Sequence, residues 1–314
     1  MADKNFDFGR IVDSVSKELG MPVVALNRNS FVKWAVSTGS LAYDLIIGGG
    51  WAPGRLIILF GPEQSGKSTL SYFALKEAIN QNIPTIFLDH EGSTDADYLE
   101  RILSIPLSKL QGSINEKGEW IVSPLVRYIP ADIGEKSFRF IHRILRELPD
   151  KVVEDDKCFF VYDATKENRD KLKGKYSLAL FNKTGRLWVE AEDGRPQLLI
   201  FIDSLPSMIP ESRDEDDESN PIAKQARMMS ENLPLVKGML SRKRVTIIAT
   251  NQTRIRPTPF GGEYETCGEA VRFYSDVRTK LTSVSSPSKK AFDEEPSVGG
   301  GTDKYRWITF SSLF

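Results

Sequence analysis

Cysteine is scarce in this chain, with only Cys158 and Cys267 among 314 residues. The two lie far apart without metal-ligand spacing, which excludes a disulfide framework and a zinc module and fits a reducing compartment. Long hydrophobic runs are also missing. No stretch approaches the roughly 20 apolar residues that span a bilayer. Met1 to Leu19 is polar and interrupted by charge, unlike a secretory leader, so the chain is expected to be soluble, cytoplasmic and without a membrane partner. Nor is there an excess of charge of either sign. A formal net charge of -1 excludes a polybasic protein that coats nucleic acid by charge alone, so any nucleic-acid site must be local.

What is present is a large apolar complement, 40% of residues, enough for a sizeable core without covalent staples. Four continuous apolar runs, Leu56 to Phe60, Thr85 to Leu88, Leu198 to Ile202 and Val245 to Ala249, have the character of parallel strands buried on both faces. Helical spacing falls between them at Lys67 to Asn80, Asp95 to Leu103, Glu135 to Leu148 and Ile222 to Leu240. This alternation predicts an α/β fold with a doubly wound, mostly parallel sheet. Residues 1–34 form an arm whose helix, Phe8 to Leu19, stops before Gly20. Residues 35–314 form the core, in which 152–197 breaks the rhythm and is expected to be a β-rich insertion. Glu211 to Asn220, acidic at Asp214 to Glu218, and Ser283 to Gly301 have loop composition.

The strongest motif is Gly61-Pro62-Glu63-Gln64-Ser65-Gly66-Lys67-Ser68, followed by Thr69. It leaves a strand and opens a helix, the context in which such a loop binds phosphate. Its amides and the helix N-terminus form an anion nest, Lys67 adds a positive charge toward the β/γ oxygens, and Ser68 supplies an oxygen for Mg²⁺. The expected ligand is ATP. Asp203 ends the run Leu198 to Ile202, where it can serve either as a helix cap or as an acidic partner to Mg²⁺. The phosphate loop favours the second. Glu91 follows the run Thr85 to Leu88 and can reach the same edge, where a carboxylate polarises the water that attacks the γ-phosphate. Asn251-Gln252, read alone, is ordinary turn chemistry after a strand.

Taken together and in order, several segments resemble the core of RecA-type recombinases. They are Val36-Ser-Thr-Gly-Ser-Leu41, Pro53-Gly-Arg55, the phosphate loop, Asp89-His-Glu91, Asp203-Ser204, Ala226-Arg-Met-Met-Ser230, Asn251-Gln252 and Arg272-Phe-Tyr-Ser-Asp-Val-Arg278. The resemblance runs from about Ser37 to Leu281, and the length and insertion look more like a viral or otherwise divergent member than a standard bacterial one. It implies that Glu91 is the catalytic glutamate, that Asp95 bonds and Tyr98 stacks the adenine, and that Gln252 senses the γ-phosphate and passes nucleotide state to a DNA-binding loop.

The resemblance also implies paired DNA-binding loops. The first, about Glu211 to Pro221, brings Ile222 as a wedge between bases, with Arg227 and Ser230 toward phosphates. The second, Thr253 to Glu269, brings Arg254, Arg256, Phe260 and the amide of Gly268. Charge to track phosphates and apolar wedges to separate stacks are what a single-strand groove requires. Residues 1–34 are implied as a helical oligomerisation arm buried on a neighbouring copy, and Phe273 and Arg278 are implied at the same contact.

The implied activity is a DNA-dependent ATPase that forms helical filaments on single-stranded DNA and pairs it with homologous duplex DNA, with single-strand-binding and mediator proteins as further partners. The competing readings are a ring-forming motor of the same fold, such as a helicase, and a weakly hydrolysing, ATP-gated regulator. Three departures stand out: the acidic run in the first loop, Cys267-Gly268 where the family has consecutive glycines, and a final segment, Tyr305 to Phe314, without the family's lysines for a neighbour's ATP. With no clear C-terminal domain in view, either the chain is a piece or that contact is made differently.

Overall fold

A computed structural model describes residues 8–19, 34–117, 120–154, 157–211, 221–255, 262–283 and 308–313. The first elements are α1 (Phe8–Leu19), α2 (Leu41–Ile46), β1 (Leu56–Gly61), α3 (Lys67–Asn80), β2 (Thr85–Asp89) and α4 (Ala96–Leu103). A short hairpin, β3 (Ser113–Ile114) and β4 (Trp120–Val122), leads to β5 (Val126–Pro130) and α5 (Gly134–Glu147). Next come β6 (Asp150–Glu154), β7 (Lys157–Tyr162), α6 (Lys166–Lys171), α7 (Leu178–Thr184) and β8 (Leu187–Ala191). The remainder is β9 (Leu198–Asp203), α8 (Pro221–Lys243), β10 (Val245–Ile255), β11 (Glu263–Glu265), α9 (Glu269–Tyr274), β12 (Val277–Ser283) and β13 (Ile308–Leu313).

The central sheet runs β13-β12-β1-β10-β9-β2-β5, with β11 attached to β10. All its pairings are parallel except β12 with β13 and β10 with β11. The apolar runs explain why. In β1, Leu56, Ile58 and Phe60 enter the core layer beneath α5 and α8, while Ile57 and Leu59 enter the opposite layer beneath α3 and α4. β9 divides its side chains likewise: Leu198, Ile200 and Ile202 to one face, Leu199 and Phe201 to the other. A strand covered on both faces needs apolar residues at every position, and each buried side chain stabilises the fold by about 1.5–3 kcal/mol.

Besides the short β11, three central-sheet strands lie outside the apolar runs. β5 is an edge strand whose side chains are half-buried or exposed, and β12 and β13 carry mixed sequences. Residues 150–191 form a separate antiparallel sheet, β6-β7-β8, that carries α6 and α7 and closes on Phe159, Val161 and Trp188. Buried Asp150 roots this sheet to the end of α8, forming ion pairs with Arg186 at 2.8 Å, Lys243 at 3.0 Å and Arg242 at 3.1 Å. Removing the acid would strand buried positive charge. Among the described residues no helix is long and apolar enough to cross a membrane.

Candidate nucleotide site and its link to a β-hairpin

Parallel strands end together, so β1, β2, β9 and β10 deliver their last residues to one edge of the sheet, where doubly wound folds bind ligands. Register places Gly61 opposite Gln252 and Asp89 opposite Asp203. Lys67, Ser68, Glu91, Tyr98, Asp203 and Gln252 all line one cleft of 850 Å³.

The phosphate loop is shaped by its glycines. Gly66 lies in the left-handed region at φ 90° and caps α3 without a side-chain bond, leaving the first amides of the helix directed at the cleft. A Cβ at Gly61 would come within 2.1 Å of the Leu281 carbonyl oxygen, so no larger residue fits between β1 and β12. The Lys67 ammonium donates to the carbonyls of Pro62 at 2.7 Å and Gly61 at 3.2 Å. Burial pushes its pKa down, partly offset by the carboxylates of Asp203, Glu91 and Glu63. The hydroxyl of Ser65 is buried with no hydrogen-bond partner among the described residues, an unmet polar group in a cradle suited to an anion.

Asp203 accepts a hydrogen bond from Thr250 Oγ1 at 2.6 Å and a second from Ser68. Burial raises its pKa, the two hydroxyls oppose that, and Glu91 and Asp89 nearby push it up further. A divalent cation beside Ser68 would reverse this penalty. Among the described residues no group of three or more His, Cys, Asp or Glu side chains could hold a metal ion alone. A cation here would therefore share phosphate oxygens and water, the mode Mg²⁺ favours. The cleft fits both ATP and Mg²⁺ on these grounds.

Glu91 is exposed at the cleft and held by hydroxyls: Ser204 Oγ donates to Oε1 at 2.6 Å and Ser93 Oγ to Oε2 at 3.4 Å. The turn that carries it is built on Asp89. That carboxylate accepts from the amides of Glu91 at 2.9 Å and Gly92 at 2.7 Å, from Thr94 at 2.7 Å and from Tyr128 on β5 at 2.7 Å. Burial alone would raise the Asp89 pKa, yet these hydrogen bonds outweigh it and hold the group below the usual carboxylate value. Ser204 entered the sequence reading only as part of the Asp203-Ser204 motif, and Tyr128 and Thr250 are neighbours that sequence reasoning did not find, because strand register, not chain proximity, brings Tyr128 to Asp89 and Thr250 to Asp203.

Of the two adenine candidates, Tyr98 lines the cleft, and its hydroxyl lies 2.9 Å from Thr69 Oγ1. Asp95 does not line the cleft. Its side chain caps α4 by accepting from the Tyr98 amide at 2.7 Å, which holds it beside Tyr98.

Gln252 is where structure and sequence expectation diverge most. The strand was expected to stop at Thr250 and release a loop. Instead β10 continues to Ile255 and folds back on β11, with Thr253, Arg254 and Ile255 opposite Glu265, Tyr264 and Glu263. The root of this hairpin is clamped. Thr266 donates its hydroxyl to Asn251 Oδ1 at 2.7 Å and its amide to the Gln252 carbonyl at 3.1 Å, while fully buried Asn251 donates back to the Thr266 carbonyl at 3.3 Å. The side-chain amide of Gln252 faces the cleft and makes no hydrogen bond among the described residues.

The candidate DNA residues divide. Ile222, Arg254 and Gly268 border a second cleft of 360 Å³ between the start of α8 and the hairpin. Its acids are neutralised within the chain: Glu263 by Lys280, Glu265 by Arg278 and Glu269 by Arg272. Arg254 is exposed and has no ion pair among the described residues. Gly268, at φ 79°, is required by packing, since a Cβ would lie 2.8 Å from the Ala226 Cβ. Arg227 is fully hydrated and paired to Glu231 at 2.8 Å, and Ser230 bonds the Ala226 carbonyl at 2.9 Å. Both thus engage their own helix. Arg256, Phe260 and the acidic run Asp214 to Glu218 lie outside the described residues. Phe273 is 79% exposed. Arg278, expected between copies, pairs with Glu265 within the chain and lies over the Phe60 ring at 5.0 Å.

Comparison with known proteins agrees with this geometry. A family model described as the RecA N-terminal domain matches residues 9–130 and 194–298. Protein RecA of Leptospira biflexa serovar Patoc is 26% identical over 265 residues, 83% of this chain and 51% of that protein. Protein RecA of Acholeplasma laidlawii is 28% identical over 251 residues, 79% of this chain and 56% of the relative. For protein RecA of Bacillus thuringiensis the figures are 26% over 290 residues, 90% and 65%. The chain spans about half the length of the first of these relatives.

Proposed function

The chain belongs to the RecA family, and on that premise we propose that it is a DNA-dependent ATPase that assembles on single-stranded DNA and carries out homologous pairing and strand exchange with duplex DNA. The observation that carries the reading is the register of Gly61 with Gln252, combined with the Asn251–Thr266 clamp. Together they join the phosphate cradle on β1 to the root of an exposed hairpin on the neighbouring strand β10.

In this reading ATP with Mg²⁺ supplies a terminal phosphate whose transfer to water releases the assembled state. The chain's own groups do the rest. The loop amides and Lys67 bind the phosphates, and Ser68 and Asp203 hold the cation. Tyr98 supports the base. Glu91, aimed by Ser204 and Ser93, orients water and accepts its proton. Gln252 reports the terminal phosphate through its amide, and the clamp passes that state to the hairpin bearing Arg254, which with Ile222 and Gly268 contacts the strand. Arg227, Ser230, Arg256 and Phe260 extend the contact, Asp95 joins Tyr98 at the base, and Phe273 lies between copies.

ATP turnover measured with and without single-stranded DNA, together with electron micrographs of the complex formed with a non-hydrolysable ATP analogue, tests the proposal. Stimulated turnover and open helical filaments are expected. Closed rings would point to a motor, and DNA binding without turnover to a regulator; either contradicts it.

A further inference from the structure

Helix α5 carries a feature that neither the nucleotide cleft nor the hairpin uses. Its buried face is Phe138, Ile141 and Leu145, the layer that packs beneath the sheet. On the outside, Lys136, Arg139, Arg143 and Arg146 follow at intervals of three, four and three residues, and all four are exposed. At 3.6 residues per turn this spacing keeps them within an arc of about 80°, in a line about 15 Å long. Arg139 and Arg143 also border a groove of 200 Å³ whose far wall is Asn232 and Leu235 of α8.

The charges on this line are largely uncompensated. Arg139 pairs with Glu211 at 3.1 Å, and the Glu211 amide is held by Glu135 at 2.8 Å. Lys136, Arg143 and Arg146 make no ion pair among the described residues. A chain with net charge -1 has no general excess of cations, so four on one stripe form a local electropositive track. Three of the four are arginines, whose planar fork suits phosphate oxygens better than a diffuse acidic surface. The stripe lies outside the two segments that the family model matches.

We propose that the outer face of α5 is a second nucleic-acid contact, binding the phosphodiester backbone along Lys136, Arg139, Arg143 and Arg146. Arg139, one turn from the start of the track, lies beside Glu211, and Arg146 places the other end just before β6 of the three-stranded sheet. Both single-stranded and duplex DNA offer this chemistry. The inference is independent of how the hairpin engages DNA.

The test is affinity for a fluorescent single-stranded oligonucleotide and for a duplex, each measured over a range of salt concentrations, for the wild type and for K136Q/R139Q/R143Q/R146Q. Each phosphate contact contributes roughly 0.7 to the slope of log affinity against log salt for single strands and about 0.9 for duplex. The variant is therefore expected to lose about 2.8 in slope on single strands or about 3.6 on duplex, whichever form the track holds. Turnover of ATP without DNA should not change, which also certifies the fold. Should the quadruple variant fold poorly, R143Q alone is expected to lose about one contact's worth of slope, and R139K/R143K/R146K to retain it. Unchanged slopes for both DNA forms would overturn the proposal, as would a loss confined to binding of poly-glutamate, which would assign the stripe to an acidic protein. An Arg254→Gln control separates the two sites: its failure alone bears on the hairpin, not on α5.

Discussion

Gly61 and Gln252 sit opposite one another in the parallel pairing of β1 and β10. One begins the phosphate cradle, and the other offers its side-chain amide to the same cleft. Because β10 runs on to Ile255, a change at the amide is felt by a strand that is also one arm of the hairpin. Coupling between such sites is a free energy, typically about 1–3 kcal/mol, or roughly 5–150-fold in affinity. Gln252→Ala is expected to erase that fraction of the gain in single-stranded DNA affinity conferred by a non-hydrolysable ATP analogue, while leaving analogue binding intact. Titrations of labelled DNA with and without analogue measure both.

Lys67 brings a buried ammonium to the cleft, held against two loop carbonyls. A charge-assisted contact of this kind is worth about 1.5–3 kcal/mol. Lys67→Ala is expected to weaken ATP binding by at least about tenfold, as read by calorimetry.

Asp89 and Asp203 face each other across β2 and β9 yet are displaced in opposite directions. Hydrogen bonds hold Asp89 below the usual carboxylate value, so its contribution to stability is present above that value and is lost as pH falls through the depressed folded value. Asp203 is raised by burial, so the folded state binds its proton more readily and its ionisation destabilises the fold as pH rises through the raised value. Asp89→Asn is expected to destabilise the protein at neutral pH by about 1–3 kcal/mol, with the difference shrinking in acid. Asp203→Asn should stabilise the nucleotide-free protein at neutral pH, also converging in acid, while abolishing hydrolysis. Denaturant midpoints across roughly pH 4 to 8 distinguish the two signs.

Much of this was legible in the sequence. The four buried strands announce themselves through unbroken apolar runs, and the phosphate loop through its position between β1 and α3. Strands toward the two ends of the sheet were harder to read. β5 reads Val-Arg-Tyr-Ile-Pro with little burial, and β12 reads Val-Arg-Thr-Lys-Leu-Thr-Ser, because a strand covered on one side needs no continuous apolar run. The extension of β10 was hidden for a related reason: Asn251-Gln252-Thr253-Arg254 has loop-like polarity, but Asn251 is buried and satisfied by Thr266, a partner 15 residues away. Asp95 carries a task that its place in the motif did not reveal, capping α4 by accepting from the Tyr98 amide.

Hydrolysis at Glu91 is the most direct test. Ser204 and Ser93 fix the carboxylate at the mouth of the cleft without placing it in the cradle itself, so the side chain can act on water but is not needed to hold the nucleotide. A general base contributes about 10²–10⁴-fold to rate. In single-turnover assays on single-stranded DNA, Glu91→Gln is expected to lower ATP cleavage by about that factor while binding ATP and assembling on DNA as the wild type does. Cleavage at the wild-type rate, or loss of assembly together with cleavage, would contradict the account.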